Sequence, residues 1–83
     1  YGGEEFVIIL PETPLSGAVL TTERIRLAVA QNEVFVNQHT IRVTISAGVA
    51  EYKPETASAT ALIDAADKKL YEAKNNGRNR VEC

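Results

Sequence analysis

The sequence predicts a mixed α/β (α+β) domain with the element order β-α-β-β-α-β, and three observations carry that reading. An unbroken run rich in β-branched residues, FVIIL, suits a strand covered on both faces. Ile41, Val43 and Ile45 alternate with Arg42, Thr44 and Ser46, the pattern of a strand with one apolar face. Two other stretches, 15–29 and 62–73, repeat their apolar residues at helical spacing. Helices laid on a sheet in one α/β layer satisfy all three.

Each element follows from local chemistry. Gly2-Gly3 ahead of a strand reads as a tight hairpin turn, because glycine supplies the positive φ that such turns need. Residues 6–10 form the first strand and Pro11 ends it. Thr13 is the expected N-cap of the first helix, with Pro14 at the first helical position. Leu15, Val19, Thr22, Ile25, Arg26 and Val29 then share one helix face, and Asn32 is the stop. The next strand is 33–36, followed by a polar hairpin connection, Asn37-Gln38-His39. The return strand begins at Ile41 and continues through the small residues Ala47 to Ala50. Gly48 there implies a bulge or something packed closely on the backbone. After the loop EYKPETAS, Ser58 or Thr60 caps a second helix whose stripe is Leu62, Ile63, Ala66, Leu70 and Ala73. Gly77 sits where a left-handed C-terminal cap belongs, and 79–82 is a short final strand.

Bulk properties narrow the function. Eighty-three residues suffice for one small domain. A net charge of −2 gives no long-range attraction for nucleic acid or acidic membranes, so nucleic acid is not an expected partner. The single cysteine, Cys83, leaves no internal disulfide or thiolate metal site. No apolar run reaches the ~18 residues of a membrane span. The chain has no methionine, and its opening hairpin has only an outgoing arm, so the incoming strand is expected before Tyr1.

Glu4 and Glu5 raise a chemical question. Neighbouring side chains on a regular strand point to opposite faces, so only one of the pair can address a given site. A carboxylate on a hairpin tip suits Mg²⁺, which takes oxygen ligands and completes its shell with substrate phosphates. Two solvated acids on an exposed turn would give the same four letters. Lys74 and Arg78 are likewise open to two readings: favourable charges near a helix C-terminus, worth ~0.3–1 kcal/mol, or a grip on phosphate.

Three segments in register, YGGEEF, VTISAGVA and ADKKLYEAKNNGRNRV, closely resemble the GGDEF family of diguanylate cyclases across the whole chain. The resemblance implies a palm-like nucleotidyl-cyclase fold, a mostly antiparallel sheet flanked by helices. Residues 1–83 would be the C-terminal part of a single such domain, with the first strand and first helices upstream. It implies an enzyme that joins two GTP into cyclic di-GMP and releases two pyrophosphates, working as a homodimer with Mg²⁺ (or Mn²⁺). Gly2 and Gly3 would let GTP approach the backbone. Glu4 would bind the metal and help activate the attacking ribose hydroxyl, and Glu5 is an additional candidate. Lys74 and Arg78 would hold the terminal phosphates. The family's first metal-binding aspartate and its guanine-reading residues would lie upstream, which makes this piece alone inactive. A sensory or regulatory domain is expected upstream, and the cyclase part is expected in the cytoplasm of a protein that could carry a membrane anchor. The alternative is a degenerate domain that binds GTP or cyclic di-GMP for regulation or dimerisation.

Overall fold

Helical spacing from Leu15 produces α1 (Leu15–Gln31), with Leu15, Val19, Thr22, Ile25, Arg26 and Val29 half-buried along one face and Ala18 buried beside them. The computed structural model describes residues 7–83. Pro14 itself occupies the N-cap position in extended conformation, so the cap lies one residue later than predicted. Thr13 does not cap the helix, because its hydroxyl donates to the Pro11 carbonyl at 3.0 Å. The first helical N–H, of Leu15, instead donates to Glu51 Oε1 at 2.9 Å. A carboxylate from a distant loop thus satisfies one of the orphan donors and sits at the positive end of the helix dipole. Asn32 ends the helix as predicted.

β1 (Val34–Val36) and β2 (His39–Ile41) form an antiparallel hairpin with Phe35 opposite Thr40. Its connection is Asn37-Gln38, both at positive φ, the requirement of a two-residue type I′ turn. Asparagine tolerates that conformation better than most side chains. Arg42 and Glu33 form an ion pair across the base of the hairpin.

Two sequence expectations need correction here. The long return strand divides: residues up to Ile41 pair in the hairpin, 42–46 join no ladder, and β3 (Ala47–Gly48) belongs to a different sheet. Residues 7–10 also form no strand, and Val7, Ile8 and Ile9 are exposed. Both have the same cause. Apolar alternation or an apolar run fixes which faces a strand would bury, but a ladder forms only where a second strand lies opposite. The remainder of the expected first strand, Phe6, lies outside the described residues.

α2 (Ala59–Asn75) is capped by Ser58, whose Oγ accepts from the Ala61 N–H at 3.1 Å. β3 pairs in parallel with β4 (Val81–Glu82), so the described ladders of this mixed α/β fold are one antiparallel and one parallel pair. α2 is the crossover between these parallel strands and packs directly on them. The contact is closest at Gly48: a Cβ built there would lie 2.1 Å from the Ala66 carbonyl oxygen and 2.2 Å from the Leu70 nitrogen. Close backbone approach, one of the two expected reasons for this glycine, is therefore the one realised. Ala73 is fully buried, Val49 and Ala18 are buried, and Leu62, Ile63, Ala66 and Leu70 are half-buried around them. The core thus sits between α2, β3, β4 and the inner face of α1. No helix among the described residues is long and apolar enough to cross a membrane.

Candidate functional site

The cations singled out by the sequence stand on either side of the end of α2. Lys74 is half-buried in the last helical turn, and Arg78 is exposed just beyond the C-cap, Asn76. Between them the chain reverses at Gly77, φ +117°, and the Arg78 N–H returns to the Ala73 carbonyl at 2.9 Å. That bond, from the second residue past the cap to the third-last helical carbonyl, is the long bond of a Schellman motif. The expected left-handed cap is present.

The bend continues further than a glycine cap requires. Arg78 and Asn79 also lie at positive φ, +63° and +49°. For residues with a Cβ this conformation costs ~1–2 kcal/mol each, so surrounding contacts must hold it. The Asn79 N–H donates to Ser46 Oγ at 3.1 Å, and the Ala47 N–H to the Arg80 carbonyl at 2.9 Å. Arg26 reaches from α1 and donates through Nη1 to Asn79 Oδ1 at 2.7 Å and more weakly to the Asn79 carbonyl at 3.4 Å. Arg80 Nε donates to the Arg78 carbonyl at 3.2 Å. Arg26 of α1, Ser46 before β3 and Ala47 of β3 thereby converge on residues 79–80, next to Arg78.

Arg26 is itself held. Its Nε lies 3.0 Å from both oxygens of Glu23, one helical turn earlier. The Arg26 hydrogen bond holds the Glu23 carboxyl below its usual range, against an opposing push from desolvation. The same bond raises the Arg26 guanidinium further above its already high value. Sequence reasoning placed Arg26 on the apolar stripe of the first helix and assigned it no further role. The readable signal was a cation on an otherwise apolar face, with a carboxylate three residues before it.

A shallow depression of about 210 Å³ borders Lys74 and is lined by Asp67, Leu70, Tyr71 and Lys74. All four residues come from α2, so the depression is a surface of one helix and encloses nothing by itself. Tyr71 stands exposed at the edge of the helix stripe. His39 is exposed at the start of β2. Among the described residues no group of three or more His, Cys, Asp or Glu is placed to hold a metal ion. Gly2, Gly3, Glu4 and Glu5 lie outside the described residues.

The described part therefore provides two positive side chains of different kinds across a fixed bend. A lysine ammonium is a compact point charge, while an arginine guanidinium is a planar fork that matches phosphate oxygens two at a time. Such a pair suits a polyphosphate.

A family model described as "Diguanylate cyclase, GGDEF domain" matches residues 1–80. "Diguanylate cyclase A" of Treponema denticola is 47% identical over 81 residues, covering 98% of this chain and 22% of the relative. "Response regulator PleD" of Caulobacter vibrioides is 43% identical over 83 residues, with 98% and 18% covered. "Diguanylate cyclase DgcM" of Escherichia coli K12 is 44% identical over 81 residues, with 98% and 19% covered. The chain spans about a fifth of the length of these curated relatives.

Proposed function

The chain belongs to the diguanylate cyclase GGDEF domain family, and on that premise we propose that it is the C-terminal part of a domain that converts two GTP into cyclic di-GMP. The observation that carries this reading is the joint presence of Gly2-Gly3-Glu4-Glu5 and the Lys74–Arg78 pair within one family match over residues 1–80.

In each half-reaction the 3′-oxygen of one GTP forms a bond to the α-phosphorus of the other. The α–β phosphoanhydride bond breaks, and pyrophosphate leaves with the bonding electrons. Lys74 and Arg78 hold the terminal phosphates and meet the charge that gathers on the leaving pyrophosphate. Gly2 and Gly3 let the nucleotide approach the backbone. Glu4 is the carboxylate that assists loss of the 3′-hydroxyl proton, with Glu5 as a second acid of the same loop. The Glu4 carboxylate is a hard oxygen donor of the kind that binds Mg²⁺ or Mn²⁺. When bound, such an ion supplies the positive charge on phosphate oxygens that an acidic chain lacks. Two domains, each holding one GTP, must meet, so the working unit is a homodimer. A GTP-consuming domain belongs in the cytoplasm, and the additional length of the relatives suits an attached regulatory domain.

The test is to incubate the intact protein with GTP and Mg²⁺ and to separate the products by chromatography. Cyclic di-GMP and pyrophosphate are expected. A well-folded dimer that makes none would overturn the enzymatic reading in favour of a regulatory domain. Glu4→Gln should lower kcat by about 10²-fold or more with an unchanged circular dichroism spectrum. Full activity in that variant would remove Glu4 from the chemistry.

A further inference from the structure

Arg26 stands about fifty residues away in sequence from the phosphate-gripping segment, yet its guanidinium ends on Asn79, the neighbour of Arg78. Its side chain is only 15% exposed, and both Glu23 oxygens fix its near side. Nη1 donates to Asn79 Oδ1 at 2.7 Å, within a run of three residues at positive φ. Arg78 is the middle residue of that run, so its side-chain direction depends on the run being held.

We propose that Arg26 is a positioning residue for Arg78: through Asn79 it locks the left-handed bend at 77–79 and so aims the Arg78 guanidinium at the terminal phosphates of the nucleotide. The role rests on the function proposed above. Several observations favour it over a merely structural tie. The bond goes to a side chain within the strained run and not to a helix or strand of the core. The bend is held from its other side by Ser46 Oγ on the Asn79 N–H, so the two contacts clamp one residue. An asparagine that only needed a polar partner could find it in water, because Asn79 is exposed.

A lock of this kind acts on substrate grip, and its loss should appear in KM. Destabilisation of the fold would instead lower the active fraction and leave KM unchanged. In the intact protein, Arg26→Ala should raise KM for GTP about tenfold, with kcat changed less than about twofold. Arg26→Lys, which retains one donor, should recover part of the loss. Asn79→Ala, which leaves α1 untouched, should reproduce it and serves if Arg26→Ala folds poorly. In an Arg78→Ala background, Arg26→Ala should add no further rise, since the group it positions is gone. Amide hydrogen exchange at Arg78 and Asn79 should accelerate in Arg26→Ala without acceleration at Ala73. An active wild type whose KM is unmoved by Arg26→Ala and Asn79→Ala would overturn this role alone. So would an Arg26→Ala effect that persists in full once Arg78 has been removed. A wild type that consumes no GTP would overturn the premise, and the positioning role with it.

Discussion

At one end of the molecule, Gly48, Ala66, Leu70 and Ala73 bring a strand and a helix so close that no side chain fits between their backbones. At the other, the β1–β2 hairpin leaves Val34, Phe35, Val36 and Ile41 exposed, although its ladder is complete and its turn has the two positive φ values that a type I′ turn requires. The two regions have comparable apolar content and differ in partner. The hairpin satisfies its backbone hydrogen bonds internally, and nothing in that requires burial. A two-stranded hairpin alone is marginal for this reason. The α2 end couples hydrogen bonding to packing: β3 pairs with β4 only because α2 carries the chain from one parallel strand to the other. The bend that presents Arg78 grows out of that same end, where Ser46 and Arg26 both bond to Asn79.

Substitutions can break or sharpen this contrast. The largest effect is expected for Gly48→Val, because the new side chain would strike backbone atoms of α2, which cannot rotate away. A loss of about 3 kcal/mol or more is expected, read as a lower urea midpoint. A midpoint near wild type would mean that α2 does not lie on Gly48. Next comes Ser58→Ala, which removes the bond to the Ala61 N–H at the start of the same helix. A cost of about 1 kcal/mol is expected, with faster amide exchange confined to the first turn of α2. Smallest is Phe35→Ser on the hairpin, expected to change stability by less than about 0.5 kcal/mol. A loss above about 2 kcal/mol would show that the hairpin is covered in solution and would erase the contrast.

The helices were legible in the sequence because their signals are local. The stripe from Leu15 to Val29 and the stripe from Leu62 to Ala73 both face inward, Ser58 was one of two named caps, and Gly77 carries the positive φ required of it. The strands were legible as apolar segments but not as ladders. Ile41, Val43 and Ile45 fit one strand by pattern, yet only Ile41 is paired, because the choice of partner is absent from any single segment. The same limit applied to the site. Lys74 and Arg78 could be named from the family resemblance of the segment that carries them, and Arg26 could not be joined to them. Its contact with Asn79 spans the whole α2 crossover and depends on α1 lying against β4.

What the sequence alone determined was which segments coil, where they begin and end, and which loop and cations mark the family. The helices rest on periodicity, capping and turn chemistry within a few residues, and the family marks rest on the resemblance of three segments in register. Tertiary structure decided which strands pair, why residue 48 must lack a side chain, and how a left-handed run with two non-glycine residues is held in place. Each of these depends on groups distant in the chain meeting at hydrogen-bonding or van der Waals distance. Only the packed arrangement of α1, α2, β3 and β4 brings them there.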